Sequence, residues 1–125
     1  MAAAATASSR PSPGTTPTGS VPHLYYCDPT QGKDRFGKRV AADIFVDIGH
    51  TIEVKEQMLA CHKSQRNWLS HISNEDNYIM AMRDFARANG KKIQRDYAEG
   101  FRQHLGYSYP SDNILKQELQ DFVYS

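Results

Sequence analysis

Five histidines, two cysteines and fourteen carboxylates are the side chains of this 125-residue chain able to act as bases, nucleophiles or metal ligands, and their spacing decides what they can do. His23, His50, His62, His71 and His104 include no His-Glu-x-x-His pair, which on a helix would aim two imidazoles at one metal. Cys27 and Cys61 form no Cys-x-x-Cys unit and no Cys/His zinc spacing, and they read as reduced, partly buried thiols. Ser64 and Ser70 lack the Gly-x-Ser-x-Gly turn that exposes a nucleophilic serine. Cys61 and His62 are adjacent, but neighbours on a helix point about 100° apart, so they make no nucleophile–base pair. Asp43 and Asp47 are a carboxylate pair that nothing around them specifies, and a lone strand aspartate more often serves a turn or a cap. Gly32-Lys-Asp-Arg-Phe-Gly37-Lys38 approaches a phosphate-binding loop. Arg39 stands where a serine or threonine would hold magnesium, however, and a strand follows where a helix should begin. No complete active site is visible. The candidates left are His62 and Gln65, a polar pair interrupting an apolar helix stripe, and Tyr78 on the next helix. Each has an ordinary structural reading: ties to backbone for the pair, an aromatic in an apolar face for the tyrosine.

The elements that position these residues are organised around 42–69. Ile44, Val46 and Ile48 alternate with Asp43, Phe45 and Asp47, the period of two of a strand with one core face. After Gly49 the period changes. Ile52, Met58, Leu59, His62, Gln65, Leu69 and Ile72 share one side of an expected long helix, with Thr51 at its cap and Glu53 and Glu56 near its positive end. Upstream, His-Leu-Tyr-Tyr-Cys from His23 reads as a strand stopped by Asp28-Pro29, and the loop through 30–39 joins it to the Ile44 strand as an expected antiparallel pair. Downstream, Ser73 and Asp76 form a relaxed capping box, and Tyr78, Ile79, Met82, Phe85 and Ala86 give an apolar helix face. Gly90 can end that helix, yet Ile93, Tyr97, Phe101 and Leu105 continue at steps of four, which leaves helix termination open. Ser111 is expected to cap a last helix burying Ile114, Leu115, Leu119 and Phe122.

Composition narrows the partners. With 15 basic and 14 acidic side chains the charge is nearly balanced, giving no footprint for nucleic acid or an acidic membrane. No apolar run approaches the ~20 residues of a membrane span, and a cytoplasmic protein is the expectation. Residues 1–22, almost all Ala, Ser, Thr, Pro and Gly with one charge at Arg10, are expected to be a disordered low-complexity tail. They have neither the basic start nor the continuous apolar core of a secretory signal. The folded part is thus 23–125, and about two strands plus three helices suit one edge of a larger α/β sheet.

Four stretches carry a resemblance: His-Leu-Tyr-Tyr-Cys-Asp, then Phe-Val-Asp-Ile, then Lys-x-x-Met-Leu-Ala-Cys-His-x-Ser-Gln over 55–65, then Tyr-Ala-Glu-Gly-Phe-Arg-Gln-His-Leu-Gly over 97–106. In this order they resemble the carboxy-terminal portion of the LmbE-like (PIG-L) family, zinc-dependent N-deacetylases of N-acetylglucosamine-type substrates, over roughly 21–119. The resemblance implies a Rossmann-like α/β domain. The family's zinc ligands and general base lie in a His-Pro-Asp-Asp-Glu-type and a His-x-Asp-His-type motif, and this chain contains neither. It therefore implies no cofactor on this chain, zinc and an acetylated amino-sugar only in the complete domain, and a polypeptide inactive alone, cut off by a gene break or a misassigned start. It also implies substrate-side roles for Tyr78, His62 and Gln65, and makes Glu99 a structural anchor accepting backbone or arginine hydrogen bonds. Two other readings of the chain stand beside this one: a non-catalytic module pairing with a protein partner through an open strand edge, and an enzyme with a site around His62, Gln65 and Tyr78.

Overall fold

The computed structural model describes Gly14 and residues 19–29, 32–61 and 75–125, with backbone alone over 75–77. Four strands and three α-helices follow in order: β1 (Tyr25–Cys27), β2 (Ile44–Asp47), α1 (Ile52–Ala60), α2 (Glu75–Lys92), β3 (Ala98–Gln103), α3 (Ile114–Leu119) and β4 (Val123–Tyr124), with a 3-10 turn at Gln120–Phe122 before β4. The strands form one sheet in the order β1-β3-β2-β4, and every neighbouring pair is antiparallel.

The centre of this sheet departs from expectation. β1 and β2 do not pair with each other. β3 lies between them, with Tyr26 opposite Arg102 on one side and Val46 opposite Glu99 on the other. Two strands antiparallel to the same neighbour run parallel to each other, so the chain does not turn straight back from β1 into β2, and the loop is described from Gly32. That connection closes on itself. Asp34 accepts hydrogen bonds from the Phe36 and Lys38 amides, both at 2.9 Å, and Lys33 bridges to Arg39. The Gly37 amide, between those of Phe36 and Lys38, bonds to the Asp34 carbonyl at 3.0 Å, so these three loop amides are held within the loop.

The step-of-four pattern through Ile93, Tyr97 and Phe101 is not a continuing helix. α2 ends at Lys92 in a Schellman motif: the Gln94 amide bonds to the Lys91 carbonyl at 3.4 Å and the Arg95 amide reaches the Gly90 carbonyl at 2.9 Å. Gln94 takes the left-handed conformation, φ 59°, that glycine adopts without steric cost. Gly90 does a different job. A Cβ there would lie 2.6 Å from the Arg95 carbonyl oxygen and 2.8 Å from Asp96 backbone, so the missing side chain lets the chain double back against the helix.

The core is small. Ile48, Ile52 and Ala86 cluster, with Val46, Met82 and Tyr97 packed against them, and Ala98 at the start of β3 is fully buried. Thr51 stands at the N-cap of α1 but makes no capping bond; its hydroxyl turns back to the Ile48 carbonyl. Of the expected α1 stripe, Ile52 is buried but Met58 is 67% exposed. His62, Gln65, Leu69, Ile72 and Ser73 lie outside the described residues, as does nearly all of the 1–22 tail. The α2 face from Tyr78 to Ala86 is inward as expected. For α3 the cap is Asn113, not Ser111, accepting from the Lys116 amide, and Leu119 and Phe122 are exposed because the chain leaves α3 at once to add β4 to the sheet.

Gly90→Ala is expected to cost about 1–3 kcal/mol, the range for overpacking against backbone that cannot rotate away. Gln94→Gly is expected to leave stability unchanged or raise it by up to about 1 kcal/mol. Urea unfolding of both variants checks the pair.

Candidate functional site

Polar side chains gather on both sides of β3. The register puts Asp28, Gly100 and Phe45 side by side on one face. Gly100 has no side chain because the Asp28 carboxylate occupies that space, and a Cβ would also fall 2.8 Å from the Ala42 methyl. Asn89 of α2, 2% exposed, donates to Asp28 Oδ2 at 3.2 Å. Lys92 donates to Asn89 Oδ1 at 2.8 Å while its ammonium sits 5.2 Å from the Phe45 ring centroid. The chain Lys92–Asn89–Asp28 thus fastens α2 over β3, leaving Asp28 Oδ1 buried without a hydrogen-bond partner.

The alternate positions of β3 engage α1. The Lys55 ammonium donates to Glu99 Oε1, so Glu99 is an anchor as expected, with a lysine as its partner instead of arginine or backbone. One residue on, Glu56 takes a two-point contact from Arg83 of α2, with Nη2 to Oε2 at 2.8 Å. Arg83 and Arg87 both donate to the Tyr97 hydroxyl, at 3.5 and 3.1 Å. Hydrogen bonding from Arg83, reinforced by its charge and opposed by desolvation, holds the Glu56 carboxyl below its ordinary value of 4.5, and the same bond raises the Arg83 guanidinium. Asp47 serves the turn before α1, accepting from the Gly49 amide at 2.9 Å. At the other end of the sheet His23 donates to Asp112 at 2.9 Å and holds that carboxyl below its ordinary value. Tyr25 reaches Asn113 at 3.0 Å.

Beyond the turn that ends α2 lies an open cleft of about 350 Å³ lined by Arg87, Lys91, Arg95, Asp96 and Tyr97. Tyr78 is half-buried on α2 and is not among the residues that line it, and His62 and Gln65 lie outside the described residues. The cleft residues went unnoticed because they come from a helix end and a strand start that meet only across the Schellman turn. The one signal in sequence was the recurrence of Arg83, Arg87, Lys91 and Arg95 at steps of four. Among the described residues no three His, Cys, Asp or Glu side chains stand close enough to hold a metal, and no helix is long and apolar enough to cross a membrane.

Comparison of the chain with protein-family models, with curated proteins and with solved structures finds no match.

A carboxylate with a depressed folded-state pKa stabilises fully above its unfolded value, and loses that contribution as pH falls through the folded one. The Glu56–Arg83 contribution is therefore complete above about pH 4.5 and fades below it. Thermal unfolding of the wild type and Glu56→Gln across pH 7 to 3 is expected to show a gap in Tm at neutral pH that narrows as the acid side is entered.

Proposed function

We propose that this chain is the carboxy-terminal portion of an LmbE-like (PIG-L) N-deacetylase domain and contributes its architecture, the metal chemistry residing in a portion that carries the two signature motifs. One observation supports the reading above others. The segments that carry the resemblance, far apart in sequence, converge on β3: Asp28 of the first lies over Gly100, β2 of the second pairs with Ala98 through Phe101, and Lys55 of the third binds Glu99. Motif residues that hold one another in place make sense as a framework for a site built elsewhere in the domain. In this reading the four-stranded sheet is an edge of a larger Rossmann-like sheet, and the acetylated amino-sugar binds only to the complete domain. Tyr78, His62 and Gln65 are the substrate-side candidates. Zinc would supply an activated water and polarise the acetamide carbonyl. Neither signature motif occurs in this chain, and the donor groups described here do not fit a zinc site, so no catalytic step is assigned to it.

A second reading, a non-catalytic module that binds a protein strand, is favoured by the outer edge of β1, with which no strand pairs among the described residues. The Leu24 carbonyl and the Asp28 amide bond to β3, so by alternation the Tyr25 and Cys27 peptide groups face away from the sheet.

The DNA immediately upstream of the Met1 codon separates the two. The deacetylase reading expects a His-Pro-Asp-Asp-Glu-type motif there, and zinc-dependent acetate release from an N-acetylglucosamine-type amide by the joined polypeptide, with none from this chain alone. Upstream DNA without such a motif, or a joined polypeptide that releases no acetate with zinc, would overturn it.

A further inference from the structure

We propose that the cleft between the end of α2 and the start of β3 binds the phosphate group of a phosphate ester, with Lys91 as its principal contact and Arg87 and Arg95 as flanking donors. This rests on the cleft alone and is independent of the deacetylase reading. The lining carries three cations, one carboxylate and one phenol in a space of about 350 Å³, enough for a small polar ligand.

Two of the cations are fixed in place before any ligand arrives. Arg87 is held by Asp84 at 2.9 Å and by the Tyr97 hydroxyl at 3.1 Å, with its guanidinium carbon 5.4 Å from the Tyr97 ring centroid. Arg95 donates through Nε and Nη2 to the Tyr124 hydroxyl, at 2.8 and 2.6 Å, and lies 3.4 Å from Asp47. Each guanidinium is thus shared between a carboxylate, which offsets part of its charge, and a neutral hydroxyl, which orients it without adding a counter-charge. Lys91 is exposed and makes no ion pair among the described residues, and Asp96 in the lining pairs with no cation among them either. Arg83, Arg87 and Lys91 recur at steps of four on α2, and like charges at that spacing repel. Glu56 offsets the first and Asp84 the second, and Lys91 is the one of the three with no ion pair among the described residues. A phosphate accepts from ammonium and guanidinium donors together, which a lone carboxylate ligand does with fewer oxygens.

The test is a titration of the full chain with inorganic phosphate, followed by amide chemical shifts. Saturable shifts confined to 87–97 are expected, with binding weakened about tenfold in Lys91→Gln, the loss of one charge-assisted hydrogen bond. Lys116→Gln, an exposed lysine on α3, is expected to bind as the wild type does. Both sites are exposed, and an unchanged Tm establishes that each variant is folded. Shifts that never saturate, shifts spread over the surface, or equal binding by Lys91→Gln would overturn the proposal. Parallel titrations with a soluble hexose phosphate and with phosphatidic acid in phosphatidylcholine vesicles identify the source. A response to either supports a phosphate-ester site and says which ester it takes; a response to neither counts against it.

Discussion

The fold depends on β3 being hydrogen-bonded along both edges. β1 and β2 are only three and four residues long and run parallel to each other, and β4 has two residues. β1 and β2 need a strand between them, and the two-residue pairing of β4 with β2 is too short to stand alone, since short strands hold together only when several pair over an apolar layer. β3 supplies that pairing, and it can do so only if the chain leaves α2 and reverses within a few residues. The turn from Gly90 to Arg95 is where this happens. Gly90 concedes space to the backbone of Arg95 and Asp96, and Gln94 accepts a strained φ. The energetic consequence is a local cost at one residue against two ladders of backbone hydrogen bonds.

Polar contacts then join the layers. Among the described residues only a handful of hydrophobic side chains are buried, and α1 offers them little beyond Ile52. Asn89 to Asp28, Lys55 to Glu99, and Arg83 to Glu56 and Tyr97 each join elements distant in sequence. Exposed pairs contribute little individually. The Asn89–Asp28 contact differs, since removing one partner from a buried pair leaves the other unsatisfied at a cost of about 1–3 kcal/mol. Specificity of docking, more than bulk stability, is what these contacts add: Gly100 has room for the Asp28 carboxylate and for nothing larger.

How much of this was legible in the sequence follows from periodicity. β2, the change of period at Gly49 and the inward face of α2 each show a clean period and were readable, and β1 was readable from its β-forming residues and the Asp28-Pro29 stop. β3 was hidden. Tyr97, Phe101 and Leu105 sit four apart, which mimics a helix, while the strand's own alternation is masked by small Ala98 and Gly100 between Tyr97, Glu99 and Phe101. β4 is too short to carry a pattern. Met58 has the spacing of a core residue but faces outward in this structure, and Asn113 displaced Ser111 as the cap through a contact to Lys116 that spacing alone ranks no higher. The site was the least legible part. Glu99 could be named as an anchor but its partner lies 44 positions away, and the cations of the cleft meet across a turn whose existence depends on where α2 stops.

Native-state hydrogen exchange on the full chain tests the central claim, that β3 is a strand paired on both sides. Amides of β3 bond alternately to β1 and β2, so those from Glu99 to Arg102 are predicted to exchange only on global unfolding, with the same free energy as Val46 in β2. Exchange at those amides as fast as at a frayed end, or helical chemical shifts running unbroken from Arg87 to Leu105, would contradict the sheet and everything built on it.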